Sequence, residues 1–182
     1  NAFFLPDFPV DAEVKYKDNL VNAYDNSIRY TDDFLARLIG MLQEQNTDAA
    51  MLYSSDHGED IFDDSRRLFL HASPVPSYYQ IHVPFLLWMS DSYRDHYPSL
   101  WENTISNKQK NISSSASFFH TMLELGGVTT PYRNDSLSVV NVLFTEKPRV
   151  YLNDHNEARS LNEIGMGEED FEMLQQKGIL YR

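Results

Sequence analysis

The segment Ala49-Ala50-Met51-Leu52-Tyr53-Ser54-Ser55-Asp56-His57-Gly58-Glu59-Asp60 constrains this chain more than any other. Its apolar run, Ala49 to Tyr53, passes through two serines and then delivers an acid, an imidazole and a glycine in succession. Such a run reads as a buried strand whose carboxyl end opens into a loop, where open α/β sheets place their chemistry. Asp and neutral His are hard and borderline ligands suited to zinc, and Gly58 lets the backbone turn sharply behind them. The same residues are ordinary turn formers, so a strand-end turn with solvated charges is the alternative on this segment alone.

The rest of the chain supplies the frame for that strand. Residues Asn1 to Val14 carry Pro6, Pro9 and scattered aromatics without a clear period, and read as an extended lead-in that packs against another element. From Tyr16 to Gln45, Leu20, Tyr24, Ile28, Thr31, Leu35, Leu38, Ile39 and Leu42 recur at three- and four-residue steps, which predicts a long amphipathic helix. Asn46-Thr47-Asp48 ends it. Asp60 to Tyr79 is irregular and polar, with Pro74 and Pro76. Val83 to Met89 predicts a second buried strand beside the first. A helix is expected over Asp91 to Ser106, starting or kinking at Pro98. Ser113 to Ser115 offer N-caps for a further helix that stops at Gly126-Gly127. Val150 to Leu152 suggests a short late strand, and Glu168 to Gln176 a last helix before Ile179-Leu180-Tyr181. Helices alternating with short apolar strands predict one α/β domain over residues 1–182 with a mostly parallel or mixed sheet.

Composition excludes several classes of function. The 182 residues carry 42% hydrophobic and 23% charged side chains, as an ordinary globular domain does. A net charge of -12 argues against nucleic-acid partners and against simple adsorption to an anionic membrane. No apolar run reaches the length of a transmembrane helix, and the first residues lack the basic and apolar regions of a signal peptide. Cysteine is absent, which removes disulfides, thiolate metal sites and thiol nucleophiles without choosing a compartment.

The six histidines differ in context. His57 adjoins Asp56 at a strand end. His71, between Phe69-Leu70 and Ala72-Ser73-Pro74, lies in the loop joining the two strands, and that loop can fold it back over Asp56 and His57. The bland alternative is a loop histidine with one backbone hydrogen bond. His82 reads as structural, while His96, His120 and His155 default to surface or packing roles. Glu59 reads equally as a partner of a ligand histidine and as an acid at a helix start. Asp60, Asp63, Asp64, Arg66 and Arg67 read as a solvated charge run.

The stretches NAYDNSIRYTDDFLARLIGML, LYSSDHGED and FLHASPVPSYYQIHVPFLLWMS, in that order, resemble the catalytic domain of bacterial phosphoethanolamine transferases, members of the sulfatase and alkaline-phosphatase superfamily. SSSASFFHTMLELGGV is similar to that family's helix after the second strand, and RVYLNDHNEA to tails of some members. Two departures stand out: the absence of Cys, and Ala72 where a glycine often follows the loop histidine. The resemblance implies an alkaline-phosphatase-like α/β/α sandwich. It implies Asp56 and His57 as ligands of a catalytic zinc (manganese or another divalent cation being the alternative), and His71 as a contact of the transferred phosphate or of a second metal.

In that family the nucleophile is a threonine upstream of the matched block, as are further metal ligands and the membrane-spanning helices. The expectation is therefore a C-terminal portion of such a domain, lacking its nucleophile, inactive alone, and partnered by the remainder of its own catalytic domain. The parent protein would sit at the periplasmic face of the bacterial inner membrane and use a lipid phosphate substrate. An apolar patch is expected where the remainder would pack, and it gives self-association a ready physical cause. Three alternatives stay open: a sulfatase or phosphoglycerol transferase fragment, a non-catalytic α/β module, and a complete small metallohydrolase using metal-bound water.

Overall fold

The apolar positions that recur after Tyr16 form α1 (Lys17–Glu44), a helix of 28 residues. Leu20, Tyr24, Thr31, Leu35, Leu38 and Leu42 lie on its half-buried side, as steps of three and four residues require. Asn46 takes a left-handed φ of 50° just past the helix end, a conformation that asparagine tolerates better than most residues. The computed structural model describes residues 3–6, 11–71, 74–152, 155 and 157–179. The expected lead-in over Asn1–Val14 and the segment Ile179 to Tyr181 therefore lie partly outside the described residues. The part of the lead-in that is described packs on α1. Asn26 Oδ1 accepts the N–H groups of Phe3 and Phe4, and the Arg29 guanidinium lies 4.3 Å from the Phe3 ring centre.

The two apolar runs pair as expected, as β1 (Ala50–Ser54) and β4 (Phe85–Met89), in register Ala50 with Met89 through Ser54 with Phe85. Their direction is antiparallel, and so is that of the other two strand pairs among the described residues, β2 (Asp60–Ile61) with β3 (Phe69–Leu70) and β5 (Val150–Leu152) with β6 (Ala158–Ser160). The sheet expected from the sequence is mostly parallel or mixed; the ladders among the described residues are its antiparallel pairs. The physical reason lies in the connection: between β1 and β4 the chain makes only the short β2–β3 hairpin and one helical turn, α2 (Tyr78–Ile81). A parallel neighbour needs a crossover, usually a full helix. Both long strands are half-buried rather than enclosed, with one fully buried residue each, Met51 and Met89.

After β4 the chain turns at Ser90, whose hydroxyl caps α3 (Asp91–His96) through the Tyr93 N–H and also accepts from the Ala49 N–H. Pro98 occupies the first turn of α4 (Pro98–Asn107), so the helix expected over Asp91 to Ser106 is two helices broken at Tyr97. Next comes α5 (Ser114–Leu125), followed by Gly127 at φ 63°, and the chain's last described helix is α6 (Glu168–Gln176).

Apolar burial concentrates in two clusters. In the first, Met89 and Tyr93 meet Val139, Val140 and Phe144, with Leu100, Trp101 and Leu125 around them. The segment from Ser138 to Phe144 has no strand to satisfy its backbone, so turn hydrogen bonds and side chains do so together. Asn107 Nδ2 donates to the carbonyls of Val139 and Asn141, Asn103 Nδ2 donates to Val140, and Thr121 Oγ1 accepts from the Val139 N–H. The second cluster joins Tyr78 to Leu161, Met166 and Leu174. It brings α6 against α2 and so ties the C-terminal helix to the loop beside the strand end. On α1, Tyr30, Phe34 and Met41 are 75%, 57% and 63% exposed and form an outward apolar strip at steps of four and seven residues.

Candidate metal centre

The end of β1 is held from below by backbone. Gly58 N–H donates to the Gln80 carbonyl at 2.8 Å, and a Cβ at Gly58 would stand 2.1 Å from the Tyr79 carbonyl oxygen. Glycine is therefore needed here for the close approach of two backbones, beyond the sharp turn read from the sequence. Asp60, almost wholly buried, accepts the Ser77 hydroxyl at 2.6 Å and a Gln80 side-chain N–H. The residues around Asp56 and His57 are thus bolted to the start of α2.

His71 reaches the same place from β3. The β2–β3 hairpin closes with Phe62, Arg67 and Leu70 all at positive φ, 56°, 54° and 63°, without a glycine among them. Leu70, half exposed, sits directly before His71 in this strained state. A left-handed conformation costs a residue other than glycine about 1–2 kcal/mol. Leu70→Asn is accordingly expected to raise stability by about 0.5–1 kcal/mol with metal affinity unchanged, since asparagine tolerates that φ. Leu70→Val, β-branched, is expected to lower stability by about 1 kcal/mol and to weaken metal binding by displacing His71. Urea unfolding and metal titration of the two variants check the pair.

Three ligand atoms, one each from His57, Glu59 and His71, lie within 4.8 Å of one another. His71 Nδ1 is 2.9 and 3.1 Å from the two Glu59 carboxylate oxygens, and its ring centre is 3.9 Å from that of His57. His57 Nδ1 donates to the Gly58 carbonyl at 3.0 Å, which leaves the lone pair on Nε2. That Nε2 is 3.6 Å from Asp56 Oδ2. Donor atoms of one tetrahedral zinc, each about 2.0–2.2 Å from the ion, stand about 3.3–3.6 Å apart, so the Asp56–His57 spacing suits a shared cation. The Asp56 carboxyl is held below its usual pKa first by the His57 N–H, which donates to it at 3.0 Å, and further by the neighbouring imidazole.

The sequence-derived residues are therefore not placed alike. His57 and His71 converge, while Asp56 adjoins His57 with its side chain 86% exposed. Glu59, one of two readings from sequence, is the acid of the trio, and its carboxylate is 19% exposed. The donor types gathered here, two imidazoles and a carboxylate with Asp56 beside them, suit zinc, and their oxygens also admit manganese. His82 stands apart, with Nδ1 2.6 Å from the Tyr78 hydroxyl. His96 pairs with Asp48, and His120 accepts the Asn134 N–H.

With this geometry in place, the comparisons with known proteins have a physical counterpart. The sulfatase family model matches residues 3–128, and the chain belongs to that family. Phosphoethanolamine transferase EptA of Escherichia coli strain K12 is 34% identical over 121 residues, 64% of this chain and 22% of that protein. The C-terminal periplasmic domain of EptC from Escherichia coli superposes with a TM-score of 0.67 at 26% identity, over 84% of this chain and 42% of that one. The same domain solved as a complex with Zn gives 0.67 at 24% identity, over 91% and 46%. The α/β class and its likeness to these alkaline-phosphatase-like domains hold. The chain spans about a fifth of the length of the curated relatives it matches, 22% for EptA.

Proposed function

We propose that these residues form part of the single catalytic domain of a metal-dependent transferase, one that moves phosphoethanolamine from a phospholipid to a lipid or glycan acceptor. The observation that carries this reading is the convergence of His57, Glu59 and His71 beside Asp56 at the strand end. Homology to phosphoethanolamine transferases supports the reaction class, and the zinc complex of the EptC domain supports zinc as the ion. By the same kinship the site would face the periplasm. No helix among the described residues is long and apolar enough to cross a membrane.

Each residue has a chemical part in this reading. Asp56 and His57 Nε2 hold the cation, and the His57 tautomer is set by the Gly58 carbonyl. Glu59 accepts from His71 Nδ1–H, which would leave His71 Nε2 for the transferred phosphoryl group or for a metal ion. Bound zinc supplies Lewis acidity toward phosphoryl oxygens. Among the described residues the adjoining cavity is lined by serines but by no threonine, so the threonine nucleophile of the family would come from elsewhere in the domain. The apolar strip of Tyr30, Phe34 and Met41 suits packing by that remainder, with a second copy of this chain as the other occupant.

Zinc titration by calorimetry, run beside an assay with an activated phosphate ester, tests the proposal. The expected result is exchangeable zinc that weakens by about tenfold or more in His57→Ala and in His71→Ala, with no turnover in any variant. Zinc affinity unchanged in His57→Ala would sink the assignment. Tight stoichiometric zinc with turnover lost in His57→Ala would replace it by a complete small metallohydrolase.

A further inference from the structure

The cavity that Asp56, His57 and His71 line measures about 730 Å³, ample for more than one small polar group. Its wall also includes Arg149, at the entry to β5, and the three serines that start α5. Leu161 and Leu174 give it an apolar floor. Arg149 is half-buried and makes no hydrogen bond or ion pair with the described residues. The acid that acts on it, Glu146, is already engaged: its carboxylate accepts the backbone N–H of Asn111 at 2.5 Å and the Asn111 side-chain N–H at 3.1 Å. Burial pulls the Arg149 pKa down, with Glu146 opposing. The His82 pKa is likewise lowered, first by lost hydration and then by the positive fields of Lys177 and Arg149.

A half-buried guanidinium without an ion-pair partner among the described residues carries a cost in free energy, and an anion that enters relieves it. In a chain with 27 acids and 15 bases, general basicity does not explain such a residue. Planar, forked donors match a phosphate bidentately. The geometry points to Arg149 as the anion-binding residue of a second subsite in this cavity, one that takes a phosphate monoester. The subsite rests on the transferase reading for the identity of its ligand. Its chemistry, a phosphomonoester on a guanidinium, is the same whether a lipid or a soluble glycan carries the group.

The experiment titrates the full chain with inorganic phosphate and with glucose 1-phosphate, in EDTA and at an ionic strength of about 0.15 M, where surface attraction is screened. Binding is read from amide chemical shifts. Saturable binding is expected in the unmodified chain. Arg149→Gln and Arg149→Met should weaken it by about tenfold or more, the worth of a charged hydrogen bond, at unchanged Tm. Methionine keeps the packing of the stem, so it serves if glutamine fails to fold. Flotation with phosphatidylcholine vesicles, with and without phosphatidic acid, separates the sources: Arg149-dependent flotation assigns a lipid-borne phosphate, and binding of glucose 1-phosphate alone assigns a soluble one. No saturable binding in the unmodified chain, or equal binding after loss of Arg149, overturns the subsite. Because no metal is present, these outcomes are independent of the zinc titration, and either proposal can fail without the other.

Discussion

Replacing Asp170 with alanine is expected to destabilise the chain by about 3–5 kcal/mol, the usual consequence of removing one partner of a buried ion pair. Asp170 is wholly buried in α6. Its carboxylate accepts from Arg66 Nη1 at 2.6 Å and Nη2 at 2.8 Å, from the Tyr78 N–H at 2.7 Å and from the Gly167 N–H at 3.0 Å. Alanine would leave a guanidinium with only Asp64 to pair it, and two buried N–H groups without an acceptor. Asp170→Asn keeps the shape and part of the acceptor capacity but loses the charge, so a smaller loss of about 1.5–3 kcal/mol is expected. Urea unfolding at constant m-value measures both. The effect should also reach the candidate site, because Tyr78 begins α2, and α2 carries Gln80 against Asp60 and Gly58. Zinc affinity in Asp170→Asn should therefore fall with stability. A variant as stable as the parent would mean that the ion pair makes no net contribution.

That network shows what the sequence could and could not disclose. The helices over Lys17–Glu44 and Glu168–Gln176 were legible because apolar residues at steps of three and four specify a face without reference to any partner. The strand into Asp56 and its neighbour at Phe85–Met89 were legible for the same reason, as continuous apolar runs. Their antiparallel direction was not, since it depends on what the intervening residues do not build. The Asp60–Asp64 and Arg66 run read as solvated charge, yet Asp60 is buried and Arg66 bridges Asp64 and Asp170. Apart from the local Arg66–Asp64 pair, the partners of Asp60 and Arg66 are 17 to 104 residues away in the chain, a distance at which local pattern carries no information. The β2–β3 hairpin was hidden because Phe62, Arg67 and Leu70 occupy backbone conformations that favour glycine. Ser138 to Phe144, an irregular segment in the core, has apolar residues but no period of its own.

The candidate site divides in the same manner. Asp56-His57-Gly58 announced itself through the strand end, and His71 through the loop and the family resemblance. The choice of Glu59 over other acids as the partner of His71 needed coordinates, because side-chain direction after a strand end is set by the contacts beneath it. Arg149 had no signal at all: it stands 92 residues beyond His57 in the numbering, just before a short strand, and its interest lies in the cavity it shares.

Gly58→Ala is expected to be the most damaging single-methyl change in the chain. A Cβ there would lie 2.1 Å from the Tyr79 carbonyl oxygen and 3.2 Å from its carbon, both backbone atoms that no rotamer change can move. Ordinary overpacking costs about 1–3 kcal/mol when flexible side chains can yield. Here relief requires separating two backbones joined by the Gly58–Gln80 hydrogen bond of 2.8 Å, so a loss of about 3 kcal/mol or more is expected. The displacement would act on the residues at either side, moving His57 away from Glu59 and His71, and zinc affinity should fall by about tenfold or more. Gly40→Ala is the matched control. It lies inside α1 with nothing within 4 Å of the added methyl, and alanine in a helix interior should raise stability by about 0.5–1 kcal/mol. Thermal unfolding of the two variants side by side separates the general effect of adding a methyl from its effect at this contact. If both variants behave alike, the two backbones are not in the contact described, and the support beneath Asp56 and His57 would have to be sought elsewhere.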